Sequence, residues 1–237
     1  TFKKISVGAT ETAILNSCFS NREVMLKNIA IEPEVIDLIK FLNESGANIR
    51  FVSKRSIIIK GVKKLKGIKY KIMPDRIEAG TYIIASAITN SSLTLNNLFI
   101  DHIKNIIHVL KKIGLKFKNL SSTSIKVLPG KLKPLKIGTA PYPDFPTDMQ
   151  AQLMSLLALT DGHSEIKEDI FENRFLHVLE LQRMGANIKI KNNKAKIIGA
   201  KRLSGAQVMA TDLRASVCLV LAGLVAKGKT VINRVYH

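Results

Sequence analysis

A unit of about 70 residues recurs along this chain, and the repeat constrains the fold more than any other feature of the sequence. In each copy a run of apolar residues at helical spacing ends at a glycine, at Gly46, Gly114 and Gly185. Glycine adopts the left-handed conformation that ends a helix at little cost. Each copy therefore predicts a helix that stops at its glycine.

A pair of predicted strands follows the glycine of each copy. In the first copy we expect strands at 49–52 and 56–59, and in the third at 188–190 and 194–198. A second helix and a further strand complete the unit. The sequence thus predicts an α+β (α/β) fold built from repeated βαβαββ-type units, which are too long for an ordinary solenoid.

Each second helix is predicted to begin at an acidic residue, Asp75, Asp148 or Asp212. Aspartate is favoured at a helix N-terminus, where it accepts bonds from free backbone N–H groups and faces the positive end of the helix dipole. A repeat that directs several such N-termini to one place can form a site for an anionic ligand.

The charge of the chain is strongly positive, at +19 from 37 basic and 18 acidic residues. A nucleic-acid partner is one explanation for such a charge. However, aromatic residues make up only 5% and tryptophan is absent, so stacking platforms for single strands are few. We expect solvated lysines and no nucleic-acid partner, and a phosphate-bearing small ligand also suits the charge.

Composition indicates a cytoplasmic protein without a membrane partner. The longest apolar run, at 217–226, is shorter than the roughly 20 residues of a membrane span and is better explained as a core helix. No secretory signal opens the chain. Cys18 and Cys218 lie in apolar helical patterns, so we expect buried reduced thiols rather than a disulfide or metal ligands.

The histidines show no spacing that indicates a metal site or a catalytic triad. His102, His108, His163 and His177 are scattered, and each is expected at the surface or in packing. We therefore expect no metal.

Seven strings in the chain carry a resemblance to a known family. They are Ser6–Thr10, Glu32–Glu34, Pro74–Glu78, Thr139–Pro143, Phe145–Gln152, Phe171–Phe175 and Leu203–Ser216. Together they resemble the UDP-N-acetylglucosamine enolpyruvyl transferases, of the EPSP synthase superfamily. The resemblance covers the whole chain, and its last string has an unusual composition that chance does not explain.

This resemblance implies two domains, each an inside-out α/β barrel of three repeated units, with helices inside and sheets outside. Residues 1–72 are expected in one incomplete domain, and residues 73–237 are expected to form most of the second. Substrates of the family bind between the domains. The chain is expected to be a fragment of a longer protein.

The resemblance also implies a reaction. The enolpyruvyl group of phosphoenolpyruvate moves to the 3-hydroxyl of UDP-N-acetylglucosamine and phosphate is released, which is the first committed step of peptidoglycan synthesis. The reaction passes through a tetrahedral ketal and needs no cofactor. The expected partners are therefore these two small molecules.

Asp148 is the candidate catalytic residue, since the resemblance places it at the sugar 3-hydroxyl as the base. The alternative is that Asp148 only caps a helix together with Thr147. Further substrate-binding candidates are implied by the resemblance. They are Lys4, Ile5, Ser6 and Val7 at the uridine diphosphate, Ile170 at the nucleotide sugar, Arg214 and Asp212 at the phosphoenolpyruvate end, and Glu32, Glu34, Arg76 and Arg174 lining the cleft.

Ser6 has an ordinary explanation of its own as the N-cap of a helix, and some of the cleft residues are expected to form salt bridges.

Departures from the family pattern leave a second interpretation open. Neither Cys18 nor Cys218 stands at the position of the cysteine that donates a proton in the family. We expect the 237-residue chain to be inactive by itself. The alternative function is a degenerate nucleotide-sugar-binding or regulatory paralogue without catalysis.

Overall fold

The computed structural model describes residues 1–235, which form two compact units. Unit 1 contains Thr1–Met73 and the short segment Pro141–Pro143. Unit 2 contains Pro74–Ala140 and the chain from Asp144 onward. As domains of a whole protein, the boundaries expected from the sequence remain a prediction.

Two hydrogen bonds hold the segment Pro141–Pro143 in unit 1. The backbone N–H of Tyr142 donates to Oε1 of Glu32 at 3.2 Å. The carbonyl of Tyr142 accepts from Nη2 of Arg55 at 2.7 Å. Side chains far along the chain thus fix where this segment belongs.

Unit 1 contains two helices and three strands. They are α1 (Val7–Ser17), β1 (Val24–Lys27), α2 (Pro33–Glu44), β2 (Asn48–Ser53) and β3 (Ser56–Lys60). The antiparallel sheet has the order β1-β3-β2. Its core includes Ile14, Val35 and Ile57, which come from α1, α2 and β3 and are fully buried.

Unit 2 contains five helices and nine strands among its described residues. In chain order they are α3 (Arg76–Ile88), β4 (Leu93–Leu95), α4 (Lys104–Ile113), β5 (Lys116–Ser121), β6 (Ser124–Leu128), β7 (Lys136–Gly138), α5 (Gln150–Leu157), β8 (His163–Lys167), α6 (His177–Arg183), β9 (Asn187–Lys191), β10 (Lys194–Ile198), β11 (Gln207–Met209), α7 (Leu213–Gly223) and β12 (Val231–Asn233). Short 3₁₀ turns precede α4 and α5, at Ile100–Ile103 and Thr147–Met149.

Sheet order confirms the repeat. The orders β1-β3-β2, β4-β6-β5 and β8-β10-β9 are the same arrangement, built three times from a strand, a helix and an antiparallel hairpin. The strand β7 pairs in parallel with β8, and α5 connects these two strands along the chain. In the same way β11 pairs in parallel with β12, and α7 connects them. The predicted βαβαββ unit is therefore present, and the described strands form separate sheets rather than one closed barrel.

The three glycines predicted to end helices do so. Gly46, Gly114 and Gly185 have φ angles of 101°, 117° and 91°. An L-residue with a side chain rarely adopts this conformation, so glycine is required where the chain leaves each helix.

The helix α5 lies in the interior of unit 2. All eight residues of α5 are buried, as expected of a helix that is surrounded by protein. The helices α3 and α7 both pack against α5. A Cβ atom at Gly80 of α3 would lie 2.8 Å from Cε of Met149, so glycine permits this close approach.

Both cysteines are buried and free, as predicted. Burial raises the pKa of the Cys218 thiol to about 12. Within residues 1–235 no helix combines the length and the apolar character needed to cross a membrane.

Candidate active site

Two of the three predicted acidic helix starts are N-caps. Oδ1 of Asp75 accepts from the backbone N–H groups of Ile77 and Glu78, at 2.7 and 3.2 Å, and begins α3. Oδ1 of Asp212 accepts from the N–H groups of Arg214 and Ala215, at 2.8 and 3.0 Å, and begins α7. These carboxylates satisfy helix donors that have no partner within the helix.

Asp148 behaves differently from the other two aspartates. It lies in the 3₁₀ turn Thr147–Met149, and α5 begins only at Gln150. The residue in the N-cap position is Met149, which makes no capping bond with its side chain. The alternative that Asp148 caps the helix with Thr147 is therefore wrong.

Two arginines bind the Asp148 carboxylate. Nη2 of Arg174 donates to Oδ1 at 2.7 Å, and Nε and Nη2 of Arg214 lie at 2.7 Å from the same oxygen. Charge-assisted bonds of this kind are short and strong. All three contacts use Oδ1, and none of them uses Oδ2.

Arg174 is held on a second side by an aromatic ring. Its guanidinium carbon lies 4.4 Å from the centroid of Phe171, within the range of a cation–π contact. Burial lowers the pKa of Arg174, and the neighbouring charge of Arg214 lowers it further, whereas Asp148 raises it. An arginine stays protonated under these influences, so the ion pair persists.

Arg214 contacts both Asp212, which caps a helix, and Asp148, which does not. Its backbone N–H bonds the capping Asp212, while its guanidinium bonds Asp148. The first turn of α7 therefore determines where this guanidinium lies. Sequence reasoning expected Arg214 at the phosphoenolpyruvate end and did not foresee its bond to Asp148.

A groove of about 480 Å³ opens beside Asp148, lined by residues of α3, α5 and α7. Its polar lining includes Asp75, Glu78, Asp148 and Gln152. Nε2 of Gln152 donates to Oγ1 of Thr81 at 3.3 Å. The Oε1 atom of Gln152 is buried and has no hydrogen-bond partner among the described residues.

Glu168 and His177 also belong to this region. Sequence reasoning missed Glu168, whereas His177 was expected at the surface or in packing and is buried. Glu168 is 3% exposed and accepts three hydrogen bonds near Asp148. His177 is 2% exposed, and burial lowers its pKa to about 4. No motif marks either residue, because their partners come from other parts of the chain.

The remaining candidates of unit 2 are Arg76 and Ile170. Arg76 is the first residue of α3 and is buried. Ile170 is half-buried, and its backbone N–H donates to Oε1 of Glu168 at 2.9 Å. A backbone contact between Ile170 and a ligand would therefore use its carbonyl.

The four candidates at the start of the chain lie in unit 1. Lys4 and Ser6 are exposed, while Ile5 and Val7 are half-buried. Oγ of Ser6 accepts from the N–H of Ala9 at 3.3 Å, so Ser6 is the N-cap of α1, as its alternative explanation held. A phosphate role for this helix start remains a prediction.

Glu32 and Glu34 form an acidic cluster in unit 1 with Glu11, which sequence reasoning missed. The pKa of Glu11 is raised, first by burial and then by the charges of Glu34 and Glu32. Oε2 of the buried Glu32 has no hydrogen-bond partner among the described residues. The negative charges of Glu34 and Glu32 therefore favour the protonated form of Glu11.

The Asp148 site has the parts of a general base. One carboxylate oxygen is held by two guanidinium groups, and the other is left to accept a proton at the edge of a groove. The described residues contain no group of three or more His, Cys, Asp or Glu side chains placed to hold a metal ion.

Comparisons with known proteins agree over the whole chain. The family model described as EPSP synthase (3-phosphoshikimate 1-carboxyvinyltransferase) matches residues 1–237. The UDP-N-acetylglucosamine 1-carboxyvinyltransferase of Pelagibacter ubique is 50% identical over 100% of this chain and 57% of its own length. UDP-N-acetylglucosamine 1-carboxyvinyltransferase 1 of Clostridium acetobutylicum is 52% identical over 98% of this chain and 56% of its own length.

A solved structure shows the same fold. The enolpyruvyl transferase NikO from Streptomyces tendae matches with a TM-score of 0.88 and 26% identity, over 97% of this chain and 55% of that one. The predicted enolpyruvyl transferase fold is thereby confirmed. The chain spans about half the length of the curated relatives it matches.

Proposed function

Since the chain belongs to the EPSP synthase (3-phosphoshikimate 1-carboxyvinyltransferase) family, we propose that it is part of an enzyme that acts on UDP-N-acetylglucosamine. The whole enzyme transfers the enolpyruvyl group of phosphoenolpyruvate to the 3-hydroxyl of the sugar and releases phosphate. The names of relatives that are about half identical to this chain support this choice of acceptor.

The observation that carries the proposal is the binding of Asp148 through one oxygen only. With Oδ1 held by Arg174 and Arg214, Oδ2 takes the proton from the sugar 3-hydroxyl. The hydroxyl oxygen then bonds to C2 of phosphoenolpyruvate, and the methylene carbon gains a proton to give the ketal. Breaking the bond between C2 and the phosphate oxygen, with loss of a methyl proton, completes the transfer.

The proton for the methylene carbon does not come from either cysteine of this chain. Cys18 is 1% exposed and Cys218 is 0% exposed, so neither thiol reaches a substrate. A catalytic acid must lie within hydrogen-bond reach of its acceptor. We expect the donor in another part of the whole enzyme, and we expect the 237-residue chain to be inactive by itself.

The other candidates keep binding roles in the proposal. The start of α1, with Lys4, Ile5, Ser6 and Val7, offers backbone N–H groups and a positive charge to the diphosphate. Ile170 contacts the nucleotide sugar through its carbonyl. Arg76, Asp212 and Arg214 are the proposed binding residues of unit 2, and Glu32 and Glu34 those of unit 1.

The test is phosphate release from phosphoenolpyruvate by the complete gene product, with and without UDP-N-acetylglucosamine. We expect release only with the nucleotide sugar, and a fall of kcat by about 10²- to 10⁴-fold in Asp148→Asn, the usual contribution of a general base. Asp161→Asn is the matched control, because it makes the same change at an exposed aspartate.

Other outcomes would revise the proposal. Full activity in Asp148→Asn would remove Asp148 from the role of base. Binding of the nucleotide sugar by a folded wild type that releases no phosphate would favour a binding protein without catalysis.

A further inference from the structure

Glu168 is a buried carboxylate whose two oxygens are both engaged. It directly follows β8 and is 3% exposed. Oε2 accepts from Oγ1 of Thr147 at 2.9 Å, and Oε1 accepts from the N–H groups of Ile170 and Phe171, at 2.9 and 3.1 Å. Burying a carboxylate is costly unless it is hydrogen-bonded, and these three donors offset the cost.

The residues that donate to Glu168 include one neighbour of each partner in the ion pair between Asp148 and Arg174. Thr147 immediately precedes Asp148 in the same 3₁₀ turn. Phe171, on the other side, supports the guanidinium of Arg174 with its ring. The carboxylate of Glu168 therefore connects the turn that carries Asp148 to the loop that carries Arg174.

Hydrogen bonds from the backbone of Glu168 and of the next residue hold Glu168 in place. Its backbone N–H donates to the carbonyl of Asn193, between β9 and β10, at 2.8 Å. The N–H of the next residue, Asp169, donates to Oγ1 of the buried Thr139 at 3.2 Å. Because Thr139 and Asn193 lie next to strands of the same sheet, these two bonds fix the position of Glu168 relative to that sheet.

We propose that Glu168 is a positioning residue, which acts through Thr147 and the 170–174 loop to set the distance and direction of the Asp148 carboxylate. This inference rests on the proposed function, in which Oδ2 of Asp148 accepts a proton from a hydroxyl. Displacing a catalytic group by about 1 Å can lower a rate by about 100-fold.

Thr147→Val is the most selective test. Valine has nearly the shape of threonine but cannot donate to Oε2, so the bond to the Asp148 turn is lost while both bonds to the 170–174 loop remain. Thr147→Ser keeps a hydroxyl and should restore the bond.

Thr160→Val is the matched control. Thr147 is half-buried and Thr160 is buried, and the hydroxyl of Thr160 donates to the carbonyl of Leu156 at 2.9 Å, near the other end of α5. The same substitution there removes one buried hydrogen bond without touching the Asp148 turn. Urea unfolding of each variant measures the structural cost separately from the rate.

The experiment measures kcat and KM for both substrates, and the pH profile of kcat, in the complete gene product. We expect Thr147→Val to lower kcat by about 10- to 100-fold with KM changed far less, and Thr147→Ser to recover most of it. Thr160→Val should lose stability comparably and keep its kcat. The inference is overturned if Thr147→Val keeps its kcat within about twofold, or if Thr160→Val loses as much.

A crystal structure of Thr147→Val keeps the inference independent of activity. We expect the 2.7 Å contact between Arg174 and Asp148 to lengthen or be lost. An unchanged contact would overturn the positioning role even if the wild type released no phosphate. An inactive wild type would instead count against the proposed function alone.

Discussion

The starts of α5 and α7 have the same local sequence but different structures. Both contain a Thr-Asp pair ahead of an apolar run, Thr147-Asp148 and Thr211-Asp212. At α7 the aspartate caps the helix with two backbone bonds. At α5 it makes no cap, and its carboxylate binds two arginines instead.

The difference follows from what surrounds each pair. Thr147 donates its hydroxyl to the buried Glu168, which holds the turn before α5 in place. Arg174 and Arg214, which lie 26 and 66 residues away along the chain, then reach the carboxylate of Asp148. A short motif therefore predicts a helix start, whereas its tertiary neighbours decide whether the carboxylate caps the helix or binds arginines.

The largest effect we expect concerns the contribution of His177 to stability. Its pKa is influenced by Asp212 and by Arg174, the partner of Asp148. Its pKa is lowered to about 4, mainly by burial, with Asp212 acting to raise it and Arg174 to lower it. Above pH 6.5 the histidine is neutral in the folded and unfolded states alike. As the pH falls from 6.5 towards 4, only the unfolded chain gains the proton, so this contribution to stability is lost by roughly 3 kcal/mol.

The measurement is urea unfolding, followed by circular dichroism, at pH 7 and pH 4.5. Glutamine does not titrate, so His177→Gln should lose less stability than the wild type over this range. His163→Gln, at an exposed histidine, is the control and should keep the wild-type difference. Equal pH dependence in His177→Gln and the wild type would contradict the prediction.

The second-largest effect concerns Arg214, which bonds Asp212 through its backbone and Asp148 through its side chain. Arg214→Gln leaves the backbone bond to Asp212 in place but removes both side-chain contacts with Asp148. We expect kcat of the complete gene product to fall about tenfold, equivalent to about 1.4 kcal/mol. The stability of α7 should change by less than about 0.5 kcal/mol, as for most partly exposed substitutions.

Steady-state phosphate release and urea unfolding of the same preparation decide this prediction. Arg202→Gln, at an exposed arginine, is the matched control. A large loss of stability together with an unchanged kcat would reverse the assignment of Arg214.

The smallest effect tests the capping role directly. Asp75→Ala should destabilise unit 2 by about 1 kcal/mol, whereas Asp75→Asn should be nearly neutral, because asparagine caps helices as well as aspartate does. At Asp148 the carboxylate faces arginines instead of N–H groups, so asparagine should not rescue the alanine variant. Midpoints of urea unfolding for the four variants make the comparison.

Rescue by asparagine at both positions would show that Asp148 has a capping role in solution. Rescue at neither position would show that Asp75 also depends on its charge.

Much of the fold could be predicted from the sequence. The helix-ending glycines, the hairpin strands and the repeat itself were found where the sequence placed them, because each depends on local conformation or on periodic burial. The place of Pro141–Pro143 in unit 1 could not be predicted, since it depends on bonds with Glu32 and Arg55 from distant parts of the chain.

The candidate site was predicted less completely. Asp148, Arg174 and Arg214 were all named, but only by resemblance, and their bonds to one another were not foreseen. Glu168 was missed altogether, because a single glutamate after a strand resembles an ordinary surface residue until its burial is known.

By itself the sequence determined the repeated unit, the ends of its helices and the alternation of its strands, since backbone preferences act between close neighbours. Only the tertiary structure decided which aspartate caps a helix and which binds two arginines, and which buried carboxylate joins the two halves of the site. Those outcomes depend on side chains that come together from distant parts of the chain, where local preferences carry no information.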